Sequence, residues 1–472
     1  MKNIHAEEAV MKKNAVVVGG GVSGLLAAIL YAKKNYAVNV IELDSECGGL
    51  LRSNYDSLGV AYDTGTHIPN FTGIDEIDEI LFGTSEYVEE HWHKITELNT
   101  GNYFENQWSH VSPFADSRHL PAVLYNQGIA ELMQLTDSVD AENIKDFTKS
   151  TLGNTFFENI VQPILKKMYG QDVDCADLTM GANLFGITRI LALDADTSAK
   201  LKELPVFDAK LGFHRKEDHR KWAKENNISP ITYVYPRSDN GIQFWVNRLV
   251  AEAEALGVNI LTNEKVSKIH TSSGKITSVE LQNSQQTLNC DSVFWSAPPA
   301  FALLAMSVSP SPARATFRTA VIHHLNFDMP LTDDKSHYLW SWDKENPIFR
   351  ITLYPNLRLN STANNLSAEI LCSPSEVEDY SKEAVIEHLK AMAIVPENAR
   401  CLSSEKQIVH NTFPVPTFSF EKATKENYEL LMEQADNIIV SGRFSGKHWL
   451  QSDVLKAAYQ EISDACNQVE KP

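Results

Sequence analysis

The stretch Asn14-Ala15-Val16-Val17-Val18-Gly19-Gly20-Gly21-Val22-Ser23-Gly24-Leu25-Leu26 decides the fold. Residues 15–18 are apolar and mostly β-branched, as in a short buried strand. The glycines then make a turn, and an amphipathic run to about Tyr36 makes a helix. Gly19 permits the tight turn and Gly21 lets the backbone approach a pyrophosphate. Gly24 has no Cβ, so the helix can pack close to the strand while its first N–H groups face the phosphates. Working outward, Val22, Leu25, Leu26 and Ile29 share one helical face, and Ala37-Val38-Asn39-Val40-Ile41 reads as a second buried strand. It ends at Glu42, eighteen residues after Gly24. A carboxylate there accepts hydrogen bonds from both hydroxyls of an adenosine ribose and repels the extra phosphate of NADP. The order strand, glycines, helix, strand, acid specifies a dinucleotide-binding fold, where a glycine-rich turn alone would not.

The next residues narrow the dinucleotide. Asp44-Ser45-Glu46-Cys47-Gly48-Gly49-Leu50-Leu51-Arg52-Ser53, followed by Tyr62-Asp63-Thr64-Gly65-Thr66-His67, resembles the FAD-binding signature of the superfamily of monoamine oxidases, protoporphyrinogen oxidases and UDP-galactopyranose mutases. The resemblance implies FAD as cofactor. It also implies an α/β fold: a Rossmann-like FAD-binding domain of the glutathione-reductase type with an inserted α+β substrate domain. From that family the pyrophosphate turn is carried to Gly48 and Gly49, with Leu51 beside them, and the grip on phosphates or flavin edge to Arg52. Together with Gly19, Gly21, Val22, Ser23, Gly24 and Glu42 these form the expected cofactor set.

Farther along, a helix over 242–256, a strand at 258–261, a hairpin of 266–270 with 275–281, and a strand at 292–296 resemble the second FAD-domain segment, in which Val266 is the expected backbone contact near the adenine. Asn437-Ile438-Ile439-Val440-Ser441-Gly442-Arg443 reads as a last strand returning to the flavin, followed by a helix from Asp453. Gly442, Arg443 and Asp453 complete the carried-over set, with Trp449 as a neighbour. The FAD domain is therefore expected to be discontinuous, over 12–83, 228–300 and 430–472, with the substrate domain over 84–227 and 301–429.

Between these segments, residues 83–230 read as mostly helical, and 74–82, alternating acids with Ile and Leu, as a solvated helix. Strands are expected near 319–328, 337–342, 348–354 and 366–372, then a helix near 381–392, which together give an α+β arrangement. The segment 163–170 looks like a mutase segment ending in a basic residue, an aromatic and glycine; an amphipathic helix with a glycine cap accounts for it equally.

The chain has 472 residues, 43% hydrophobic and 22% charged, enough for two domains with a large core. A net charge of −19 argues against nucleic acid or an anionic membrane as partner. The first fourteen residues are polar with no signal-peptide character, no run approaches a membrane span, and the C-terminal residues are polar where monoamine oxidases carry an anchor. Six cysteines without C-x-x-C spacing fit free thiols in a reducing cytoplasm and give no support to a metal site. Cys47, inside the signature, is either redox-active or simply a small residue beside a tight turn.

No second G-x-G-x-x-G follows a strand, so no separate nicotinamide domain is expected. Three functions then compete. One is an oxidoreductase of the amine oxidase or protoporphyrinogen oxidase kind, passing hydride from a small organic substrate to flavin N5. The others are a redox-neutral mutase-like enzyme on a nucleotide sugar and a non-enzymatic flavin-binding protein. The mutase signature is a glycine, then a histidine, then a second histidine three positions on. Gly65 and His67 match it, while Asn70 stands where the second histidine belongs.

His67 and Arg350 are the candidate catalytic residues. His67 is either a group beside the flavin or a loop histidine bonded to backbone. In Ile348-Phe349-Arg350-Ile351-Thr352-Leu353-Tyr354, strand alternation places Phe349, Ile351 and Leu353 on one face and Arg350, Thr352 and Tyr354 on the other. An arginine on such a strand either lines a ligand cavity, where it would bind an anionic substrate group, or pairs with an acid or solvent. The basic run His214, Arg215, Lys216, His219, Arg220 and Lys221 either steers an anionic substrate or forms a solvated segment.

Overall fold

Residues 15–18 alternate between two hydrophobic layers. Ala15 and Val17 pack with Leu25, Leu26, Ile29, Trp245 and Leu249, and Val16 and Val18 pack with Val279, Val293 and Leu303. A strand buried on both faces has no polar side, which is why its sequence reads as an unbroken apolar run. A computed structural model describes residues 12–110, 112–135, 140–359 and 361–469. The terminal stretches 1–11 and 470–472, on which the signal-peptide and anchor readings largely rest, lie outside the described residues.

The strand Asn14–Val18 (β1) leads through the glycine turn to the helix Val22–Lys33 (α1) and the strand Ala37–Ile41 (β2). β1 lies at the centre of a five-stranded parallel sheet. Ser292–Trp295 and then Ile438–Val440 flank it on one side, β2 and then Asn259–Leu261 on the other. The helices Gln243–Ala255 and Gln451–Val469 cover one face beside α1. The other face carries a three-stranded antiparallel sheet together with the helices Pro299–Ala305 and Phe418–Met432. In that small sheet Val266–Ser272 and Lys275–Leu281 are joined by Ser273 and Gly274, both at positive φ, as a two-residue hairpin turn requires.

The second sheet has seven strands in the order Cys401–Pro414, Phe317–Phe327, Asn364–Cys372, Arg350–Leu353, Tyr338–Ser341, Thr100–Phe104, Gln107–Ser109. All neighbours run antiparallel except Tyr338–Ser341 beside Thr100–Phe104. Helices built from residues 144–169 cover one face through Leu152, Phe156, Leu165 and Met168. Lys382–Ala391 covers the other through Val385 and Leu389. Residues 84–227 thus supply two strands to this sheet as well as its helical layer.

Two local expectations are corrected. The helix Asp75–Phe82 is not a solvated one, because Ile77, Ile80, Leu81 and Phe82 are buried in the core against the helix Gln243–Ala255. Phe349 does not share a face with Ile351 and Leu353. The regular strand begins only at Arg350, so Phe349 packs in the helical layer with Trp340 while Ile351 and Leu353 face the opposite core. Among the described residues no helix is long and apolar enough to cross a membrane.

Candidate functional site

α1 starts at the C-terminal edge of the parallel sheet with its first-turn N–H groups uncapped by any side chain and with no acid in that turn. The positive end of the helix dipole therefore meets an open space suited to an anion. Gly21 is the residue over which that space opens, since a Cβ built there would have no atom within 4 Å. Gly24 has the opposite surroundings. Its Cβ would stand 1.9 Å from the Gly19 carbonyl oxygen, so only glycine allows α1 to lie this close to β1.

The space is a cavity of about 890 Å³, near the upper end of the range for small-molecule sites. Gly19, Gly21, Val22, Ser23, Glu42, Gly48, Gly49, Leu51, His67, Val266, Gly442 and Arg443 all line it. Glu42 accepts hydrogen bonds from the Gly20 N–H at 2.7 Å and the Asp44 N–H at 2.9 Å, one on each carboxylate oxygen. Each oxygen keeps acceptor capacity for a ligand hydroxyl. The Arg443 guanidinium lies over the Trp449 ring at 5.4 Å and has no carboxylate partner among the described residues. Uncapped helix N–H groups, a ribose-type acid and an unpaired guanidinium around one long cavity fit a dinucleotide with two phosphates.

Three residues of the expected set stand off the wall. Gly24 faces β1, as its packing requires. Arg52 follows the short helical turn Gly49–Leu51, which turns its guanidinium onto Asp44 at 2.7 Å and the Gly49 carbonyl at 3.2 Å. Asp453 belongs to the C-terminal helix, where Gln451, Val454 and Leu455 form the lining face and helical phase carries Asp453 away from it. Cys47 is buried against the glycine turn. Burial, and then the charge of Glu42, push its thiol up to about 11, so it is a packing residue and not a reactive thiolate.

A second cavity of about 210 Å³ shares Leu50, His67, Arg443 and Gln451 with the first. It opens between the two sheets, with Phe185, Phe349, Phe413 and Trp449 among its walls. Arg350 also lines it, and its guanidinium is gripped by Glu369, Nε to Oε1 at 2.8 Å and Nη2 to Oε2 at 2.7 Å. The same carboxylate accepts from the Thr66 N–H and hydroxyl, both at 3.1 Å, which ties the loop after residue 63 to the second sheet. Of the two readings open for Arg350, the residue lines the cavity and is also paired with an acid. His67 lies half-buried between the cavities. Burial first, then Arg443 and Arg350, push its ring down to about 3, so the imidazole is neutral at any ordinary pH.

Several wall residues had no signal in the sequence. Glu369 is an acid in the strand Asn364–Cys372 with no motif around it, and Phe413 comes from the strand Cys401–Pro414, whose mixed composition shows no alternation. Phe185 lies in a turn with no motif. Conversely, the basic run becomes the exposed helix Lys216–Glu225 and its approach, with Arg220 and Lys216 near Glu97 and Arg215 near Asp196. Its charges are answered by acids at the surface. Lys167, in the mutase-like segment, donates to the Ser341 and Asp343 carbonyls at 2.6 and 2.8 Å and joins the helical layer to the sheet away from either cavity.

Comparison with known proteins agrees with this geometry. Residues 17–76 match the model of the NAD(P)-binding Rossmann-like domain. The chain is 23% identical over 292 residues to 4,4'-diaponeurosporene oxygenase of Staphylococcus aureus (strain USA300), covering 58% of this chain and 54% of that protein. It thus spans about half the length of the curated relatives of that name. An uncharacterized protein in the nifH2 3' region of Methanothermococcus thermolithotrophicus is 39% identical over 74 residues, 16% of this chain and 70% of that one. Among solved structures, reduced UDP-galactopyranose mutase superposes with a TM-score of 0.70 at 14% identity, covering 98% of this chain and 94% of its own. A protein from Exiguobacterium sp. 255-15 described as a protoporphyrinogen oxidase gives 0.67 at 14% identity, covering 97% and 99%. At these identities the superpositions establish the fold. Fold and site together define a Rossmann-type dinucleotide-binding protein of the flavin or nicotinamide kind. Residues 17–76 form a Rossmann-like dinucleotide-binding domain, and the chain as a whole shares the fold of those two solved structures.

Proposed function

We propose that the protein is an FAD-dependent oxidoreductase that holds FAD in the long cavity and takes hydride from a small organic substrate in the adjoining one. The observation that carries this reading is the wall of Leu50, His67, Arg443 and Gln451 common to both cavities, which puts a second, smaller chamber against one end of a dinucleotide-sized one. When bound, FAD supplies the hydride acceptor at N5.

The chain's own contributions follow from its geometry. The N-terminus of α1 and Arg443 would hold the phosphates, and Glu42 the ribose hydroxyls. His67, neutral between two guanidiniums, offers a hydrogen bond at the junction of the cavities without adding charge. The aromatic wall of Phe349, Phe413 and Trp449 excludes water and orients an apolar substrate. Arg350, satisfied by Glu369, acts as a fixed wall of that chamber. It contributes an anion contact only where the substrate competes with an ion pair already made.

Anaerobic mixing of the purified protein with candidate amines, alcohols and nucleotide sugars, followed in the flavin absorption band, tests the reading. Bleaching that recovers in air supports an oxidase. Turnover only after chemical pre-reduction favours the redox-neutral mutase-like alternative, and no response to any panel favours a flavin-binding protein without catalysis.

A further inference from the structure

The smaller of the two adjoining cavities is by itself too small for a substrate of ordinary size. Its volume of about 210 Å³ lies below the roughly 300–1,000 Å³ of small-molecule sites. A third cavity, of about 380 Å³, lies behind one of its walls and is lined by Phe114, Phe147, Asn183, Thr188, Arg189 and neighbours. One residue, Phe185, belongs to both linings.

Phe185 is held less deeply than Phe349 on the same wall, which is fully buried. It is half-buried and sits in a turn between the short helical turn Met180–Asn183 and Gly186, which has φ of +66°. Its ring leans on Trp340, with centroids 4.6 Å apart, and more loosely on Phe413 at 6.2 Å. A rotamer change gives up these ring contacts and part of its packing against the buried helical layer.

The two chambers also differ in chemistry. In the inner one Arg350 is neutralised by Glu369, and Arg443 also faces the dinucleotide cavity, where cofactor phosphate would answer it. What remains facing the substrate is an aromatic wall of Phe185, Phe349, Phe413 and Trp449 together with the uncharged polar side chains of Thr64, Thr66, Thr412 and Gln451. Among the described residues no acid lines the outer chamber. Its Arg189 makes no ion pair or side-chain hydrogen bond among the described residues. Behind this wall Lys202 is paired with Asp208 at 2.6 Å, and burial, then Lys202 and Arg189, hold the His219 ring below its ordinary range and so neutral, which leaves Arg189 as the unanswered charge. In a chain of net charge −19 an unanswered guanidinium facing a cavity marks a place for an anion.

We propose that Phe185 is a movable partition between the two chambers, and that the substrate is an extended apolar molecule with one anionic head, its apolar end in the inner chamber and its head on Arg189. The shared chemistry is a carboxylate or a phosphate monoester on a chain long enough to pass Phe185. The inference rests on the inner cavity being the reaction chamber.

Calorimetric titration of the flavin-loaded protein with decanoate, decyl phosphate, decan-1-ol and decylamine tests it, with the flavin band recorded in parallel. Decanoate or decyl phosphate should bind at least tenfold tighter than the alcohol or amine, and the tighter of the two identifies the head group. Arg189→Gln should remove that advantage and leave the alcohol unchanged. Phe185→Trp should weaken the anion at least fivefold, while Phe185→Ala should not, with thermal melts confirming that all three variants fold. Equal affinity for alcohol and anion, or anion binding indifferent to Arg189 and Phe185, overturns the proposal. Binding that depends on both residues but leaves the flavin band unmoved overturns the placement of the reaction chamber instead.

Discussion

Arg350 and Glu369 face each other across adjacent antiparallel strands and join by two parallel hydrogen bonds of 2.8 and 2.7 Å in the wall of the inner cavity. Both side chains are well shielded, so removing one partner leaves an uncompensated buried charge. Arg350→Ala should therefore lower stability by roughly 3–5 kcal/mol. It should also lower kcat or raise KM at unchanged flavin content, because Glu369 then releases its hold on the Thr66 loop beside His67. Denaturant melts and steady-state kinetics on the variant check both parts. A double change of Arg350→Met and Glu369→Leu should regain much of the stability without regaining activity.

Glu42 holds the Gly20 and Asp44 N–H groups and has acceptor capacity left for a ribose. Glu42→Ala should weaken FAD by about 1.5–3 kcal/mol, the worth of a hydrogen bond to a charged group. That corresponds to about 10- to 150-fold in Kd. Fluorescence titration of the apoprotein measures it, and Glu42→Gln, which keeps one acceptor oxygen, should lose less.

Acid should destabilise the fold before it protonates the carboxylates. His324 and His337 are buried, and burial pushes both down to about 4. His337 Nδ1 accepts the Asn99 N–H at 2.8 Å, a bond that protonation would abolish. The unfolded chain protonates both near the ordinary histidine value of about 6.5. Between about pH 6.5 and 4 it binds more protons than the folded chain, so stability falls as pH falls through that window. The slope is about 1.4 kcal/mol per pH unit for each histidine. Denaturation midpoints at pH 7.5, 5.5 and 4.5 should fall in that order, and the fall should be shallower in His337→Gln.

The dinucleotide half of the molecule was legible because local chemistry dictates it. A doubly buried strand, a glycine turn and a capping acid follow one another within thirty residues, and each has a physical requirement only a few residue types meet. Glu369, Phe185 and Phe413 were not legible, since their roles arise from strands and turns far apart in the chain that meet across a cavity. Arg350 was half legible. Alternation put it on the cavity side, but its partner lies on the neighbouring strand, and nothing local to residues 348–354 announces that register. Arg52 and Asp453 show the limit of carrying roles from a resemblance. One local turn and one helical phase place their neighbours, and not them, on the cavity wall.

The most direct test of the central claim uses Gly21→Val. The added Cβ would point into the open cavity with no atom within 4 Å, and Gly21 has the ordinary extended backbone of φ −69° and ψ 173°. The variant should therefore fold as the parent does without cofactor. Gly24→Val, whose Cβ would meet the Gly19 carbonyl, should not. The measurement is flavin released by acid from each purified protein, set beside its apoprotein melting temperature. The account predicts close to one FAD per chain in the parent, and almost none in Gly21→Val at an unchanged apoprotein melting temperature. A fully yellow Gly21→Val, or a parent that binds NAD and no FAD, would contradict it.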